Sequence, residues 1–194
     1  MQKTSSRPSF TLWIALGILA LLAVFAAIAA LTVSNATQCG SGGSSFLDLW
    51  RVQRFGAGVF DQRQWQYSYS VQPYKIQAVW DAPDLSSIAT LDYLLFNCGN
   101  SEVEASKYYS DENFKNIILA DYQNVQKTAE CRAGATRLYQ FSAQFQGADY
   151  LLWQWVKPED DRRVLGFFVA IPLENRLLAL GYAEKLFPEL TTCP

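Results

Sequence analysis

The residues with the most evident capacity for chemistry are three consecutive acids, Glu159, Asp160 and Asp161, beside Arg162 and Arg163. Adjacent carboxylates can hold a cation or divide into a general acid and a general base. These five follow Pro158 and lie between two hydrophobic stretches, where a solvated charged turn is the ordinary outcome. Glu102 and Glu104 form a sparser acidic pair and read the same way. Lys107, Tyr108 and Tyr109 match no catalytic constellation.

Histidine is absent. Imidazole acid–base catalysis, Ser-His and Cys-His nucleophile pairs, and most zinc or haem ligation are thereby excluded. The G-x-S-x-G and phosphate-loop patterns are missing too. No catalytic, cofactor-binding or metal-binding residue is assigned, and no cofactor is expected. A hydrolase using carboxylates alone is the surviving enzymatic reading and ranks below the non-catalytic ones. A net charge of −2 argues against a nucleic-acid partner.

Four cysteines, Cys39, Cys98, Cys131 and Cys193, carry the remaining sulfur chemistry. None is spaced as C-x-x-C, so neither a zinc ribbon nor a thioredoxin-type motif is present. An even count on an exported segment reads as two disulfides, with three connectivities open. The pairing expected here is Cys98–Cys131, stapling a helix-containing excursion, with Cys39–Cys193 tying the two ends of the domain.

The aromatic residues Trp65, Tyr67, Tyr69, Trp80, Trp153 and Trp155 admit two roles. On an open sheet face they could stack against a sugar or an apolar ligand. On cleanly alternating strands they more often fill a core, which is the expectation here.

The elements that position these residues follow from periodicity. Gln64–Val71 alternates, Pro73 interrupts, and Ile76, Ala78 and Trp80 resume in the opposite phase, predicting two strands. Ile88–Cys98 is read as a strand. Three further strand-like runs cover 125–132, 137–146 and 150–157, with a hairpin turn at Gly147-Ala148-Asp149. The last strand, Val164–Ile171, is apolar on both faces, as is 150–157. Ser110 caps a helix over Asp111–Tyr122 whose stripe is Phe114, Ile117, Ile118 and Tyr122. A second helix, Leu173–Phe187, opens after Pro172 and stops before Pro188, with Leu177, Leu178, Leu180, Tyr182 and Leu186 as its apolar face. Phe46–Phe55 reads as a short helix. It is either the first packed element of the domain, the favoured reading, or a juxtamembrane helix with aromatic and arginine side chains at headgroup level.

One stretch fixes the setting. Phe10–Val33 is uncharged and apolar, and as a helix would reach about 36 Å, enough to cross a hydrocarbon core. Its length favours a retained anchor over a cleavable signal peptide, which has a shorter apolar core. Lys3 and Arg7 flank its start and the next basic residue is Arg51, which places the N-terminus in the cytoplasm and exports the rest. The expected organisation is a cytoplasmic segment 1–9, a transmembrane helix 10–33, a Gly/Ser tether 34–45 and an extracytoplasmic α+β domain 46–194. That domain should hold an antiparallel sheet packed by two main helices.

Gly134 followed by Leu138-Tyr139, the turn at Gly147, the strand Val164–Ile171 and the helix ending in Phe187-Pro188 give the C-terminal two-fifths a pattern that resembles the Mog1/PsbP-like α/β sandwich. The resemblance implies a fold and no site residue, and that fold hosts binding and assembly roles. The functional expectation is a single-pass membrane protein whose exported domain binds or assembles with others, as an accessory subunit, without catalysis. Its partners are the lipid bilayer, through the N-terminal helix, and a membrane protein. The alternative is a module that holds an apolar or aromatic-stacking ligand.

Overall fold

Alternation writes the sheet. In a computed structural model, which describes residues 43–61, 63–83, 86–96 and 100–194, the strands are β1 (Gln66–Gln72), β2 (Lys75–Asp81), β3 (Ile88–Leu95), β4 (Gln123–Ala133), β5 (Thr136–Phe145), β6 (Ala148–Pro158) and β7 (Arg163–Pro172). They form one seven-stranded sheet in the order β1-β2-β3-β7-β6-β5-β4, with every neighbouring pair antiparallel. The β5–β6 hairpin turns through Gln146 and Gly147, both at positive φ (51° and 84°), the geometry that matches strand twist in a two-residue loop. All described residues belong to one unit, Gly40–Pro194.

Both faces of the sheet are covered, so β6 and β7 are apolar on both sides and sit centrally. Helices α1 (Phe46–Phe55) and α4 (Arg176–Leu186) lie on one face, where Val52, Ala179, Ala183 and Phe187 pack with Trp80, Trp155 and Phe167. The rings of Trp155 and Phe187 stack with centroids 5.2 Å apart. On the other face lie α2 (Ser101–Tyr108), the short α3 (Asp111–Asn113) and a π-helical turn, Phe114–Ile118. These bury Ala105, Tyr109, Phe114 and Leu119 against Phe141, Leu152 and Val164.

The two-helix expectation is corrected in three places. Ser101–Tyr108 is an additional helix, capped by Asn100, whose side chain accepts from the Val103 N–H. The expected helix Asp111–Tyr122 starts under the Ser110 cap but widens after one turn, with the Leu119 N–H donating to the Phe114 carbonyl. That i→i+5 spacing rotates Ile117 into solvent while Phe114 stays buried. The last helix begins with a 3-10 turn, Leu173–Asn175; α4 buries Ala179 and Ala183, with Phe187 just after it, and of the expected apolar face Leu180, Tyr182 and Leu186 pack against the same core while Leu177 and Leu178 do not. The two alanines let it approach the Trp-rich sheet closely, leaving Leu177 81% exposed and Leu178 exposed as well.

The expected cystine pairing is also corrected: Cys131 on β4 is bonded to Cys193, with Cα atoms 5.6 Å apart. Cys193 is thereby committed to Cys131 and not to Cys39, and the C-terminal tail runs back beside the β4–β5 edge. Trp155 Nε1 donates to the Leu190 carbonyl at 2.8 Å, and Gln140 accepts from the Cys193 N–H at 3.3 Å. Cys39 and Cys98 lie outside the described residues, as does the span Phe10–Val33. Among the described residues no helix is long and apolar enough to cross a membrane.

Candidate binding surface

The charged turn after β6 clamps α1. Tyr93 on β3 donates to Glu159 at 2.6 Å, and Arg51 on α1 donates to both Tyr93 (3.2 Å) and Glu159 (3.3 Å). Arg163 donates to Asp160 at 2.9 Å and to Asp48 at 2.8 Å. Asp48, 1% exposed, closes a capping box by accepting from the Ser45 N–H (2.9 Å) and hydroxyl (2.6 Å). Burial pushes the Asp48 carboxyl up, but hydrogen bonds from Ser45 and Arg163 outweigh it and hold the group below its ordinary value. The two hydrogen bonds that Arg163 donates, to Asp48 and Asp160, raise it in turn. Glu159, Asp160 and Arg163 of the turn are thus engaged in ion pairs, two of which reach Arg51 and Asp48 on α1 and fix that helix.

Glu102 and Glu104 are likewise engaged. Glu102 pairs with Arg132 at 3.0 Å and Glu104 with Lys107 at 2.6 Å. On β3, Asp92 meets Lys75 at 3.5 Å and accepts from Gln77 at 2.8 Å. Burial raises the Asp92 carboxyl, against the pull of Lys75 and Gln77. Tyr108 and Tyr109 pack ring to ring, 5.0 Å between centroids, and the buried Tyr109 hydroxyl has no partner among the described residues. Burial pushes that hydroxyl well above its ordinary value.

The aromatic set divides. Trp65, Trp80, Trp153 and Trp155 are core, as expected. Tyr67 and Tyr69 are not: with Val71 they are exposed along β1, the outermost strand, and Tyr74 in the turn after it is exposed too. Tyr67 and Tyr69 stack at 6.2 Å, and Tyr67 meets Trp80 at 5.5 Å. Their alternation signals a buried face, but among the described residues no helix reaches out over β1, and every residue of the strand is exposed.

The two edges of the sheet are built differently. At β4 the register with β5 shifts twice, and the strand carries Lys127, Glu130 and Arg132 in ion pairs. Bulges and charges of this kind block the pairing of a further strand. At β1 the register with β2 is unbroken over all seven residues, and the strand, QYSYSVQ, has neither charge nor proline. Every residue of β1 is exposed.

Beside the start of β1 lies an open cleft of about 720 Å³ between the loop after α1 and the sheet, with Phe60, Trp65, Tyr67 and Trp80 in its wall and Arg63 and Lys185 at its rim. Its aromatic planes are largely taken by one another, since Phe60 stacks on Trp80 at 4.8 Å and packs edge-on to Trp65 at 5.2 Å.

No protein-family model and no curated protein matches the chain. Among solved structures it is similar to LpqN of Mycobacterium tuberculosis, described as involved in cell envelope biogenesis, with 16% identity over 62% of this chain and 73% of that one and a TM-score of 0.36. A likeness of that size carries no argument, and the reading of this α+β domain with its Cys131–Cys193 bridge rests on its own residues.

Proposed function

We propose that this chain is a non-catalytic binding or assembly subunit, held outside the cytoplasmic membrane by its N-terminal segment, that accepts an extended segment of a protein partner onto β1. The observation that carries the reading is the contrast between the edges: β4 is bulged and charged, whereas β1 offers seven regular, uncharged residues with an aromatic stripe. Added strands gain affinity from main-chain hydrogen bonds and specificity from alternate side chains, here Tyr67, Tyr69 and Val71. The Cys131–Cys193 bridge supports an oxidising, extracytoplasmic setting. The uncharged run Phe10–Val33 supports the anchor.

The test uses the full chain in its native membrane, solubilised gently, with Tyr69→Lys and Val71→Lys as variants. Both side chains are half-exposed, so the charge alters the edge and not the core. The native chain is expected in an assembly well above its own 21.8 kDa, and the variants are expected to run free of it. An unchanged assembly in both variants, or a native chain that runs alone, contradicts the reading. The ligand-module alternative is favoured by the cleft at Trp80. Tyr69 and Val71 are not part of its wall, so loss of assembly in these variants speaks for the edge and against the cleft.

A further inference from the structure

We infer that the exposed side of α1 rests on the bilayer itself, with Phe46, Leu47 and Trp50 in the headgroup region and Arg54 among acidic headgroups; the inference rests on the anchor reading above. Three observations meet here. The helix leaves its first-turn apolar side chains in solvent, with Phe46 79%, Leu47 65% and Trp50 47% exposed. Arg54 lies 4.9 Å above the Trp50 ring, the pairing of a cation and an amphipathic ring that suits a membrane–water interface. Only twelve residues, 34–45, separate the apolar run from this helix, and even a fully extended chain of that length reaches no more than about 43 Å.

The helix has no freedom to turn this side inward. Asp48 and Val52 face the domain, and the ion pairs to Arg163 and Glu159 hold the first turns in place. Its one acid, Asp48, is buried and paired, and Arg51 is turned to Glu159, so the charge it presents outward is Arg54, in a chain whose net charge is −2. A basic side chain among exposed aromatic and apolar ones is complementary to an anionic lipid surface.

Tryptophan quenching separates this contact from the anchor. Of six tryptophans, Trp65, Trp80, Trp153 and Trp155 are buried, which leaves Trp50 and Trp13 of the apolar run as the reporters. The full chain is placed in vesicles of phosphatidylcholine and phosphatidylglycerol brominated near the headgroup. Trp50→Phe and Trp13→Phe are each expected to remove a share of the quenching. A Phe46→Ser, Leu47→Ser double variant is expected to lose the Trp50 share while keeping that of Trp13. Loss in W13F alone overturns the contact and leaves the anchor standing. Loss in W50F alone upholds the contact and overturns the anchor, and loss in neither overturns both.

Discussion

Asp48 concentrates much of what the molecule does with single residues. It is an almost fully buried carboxylate that satisfies its charge through Ser45 and Arg163, and it joins the first turn of α1 to the start of β7. Its acidity is enhanced in the folded state, so its contribution to stability is complete above the unfolded carboxylate value near pH 4 and drains away as pH falls through its lower folded value. Asp160 behaves alike: burial raises it, but backbone N–H groups of Arg162 and Arg163 and the Arg163 side chain hold it down. Replacing Asp48 with Asn removes the Arg163 charge pair and weakens the capping box, and is expected to cost about 2 kcal/mol at pH 7. Urea denaturation between pH 7 and 3 checks this. The Asp48→Asn chain should lose stability less steeply below pH 4, and parallel curves would show that the acid sensitivity arises elsewhere. None of this was legible in the sequence. The turn 159–163 showed only charges in a row, and its partners on α1 and β3 are 66 or more residues distant.

At the scale of elements the strands were legible and the helices less so. Alternation in β1, β2 and β5 and two-sided apolarity in β6 and β7 are periodic signals that survive folding. Ser101–Tyr108 was hidden because it is short and carries Glu102, Glu104 and Lys107 on its open side, with little beyond Ala105 and the following Tyr109 to bury. The π-turn and the choice of α4 to bury alanine depend on what the sheet opposite allows. Gly166 shows that dependence. The Tyr109 ring at the end of α2 descends onto β7 where Gly166 has no side chain, and a Cβ there would overlap the Tyr109 hydroxyl. Gly166→Ala is expected to cost about 1–3 kcal/mol through overpacking. Tyr109→Phe removes an unsatisfied buried hydroxyl and should be neutral or stabilising by up to about 1 kcal/mol. In the double variant Tyr109→Phe should recover part of the Gly166→Ala loss, as thermal denaturation would show, and strict additivity would contradict the contact.

For the whole molecule, β7 sets two ends. It starts at Arg163, which holds the first turn of α1 beside Phe46, Leu47 and Trp50, and it finishes at Pro172, where Leu173 and the exposed Leu177 and Leu178 begin the last helix. Composition already separated the apolar N-terminal run from the aromatic-rich domain. The sequence showed the aromatic stripe of β1 but assigned it to the core, because alternation marks a face without telling which element covers it. The central claim, that β1 is the edge that takes a partner strand, is tested most directly by amide hydrogen exchange of the full chain in its native membrane and after purification alone. The account predicts that exchange over Gln66–Gln72 is much slower in the membrane while the bulged β4 edge is unchanged. Equal exchange over Gln66–Gln72 in the two preparations, or protection that appears at β4 instead, would contradict it.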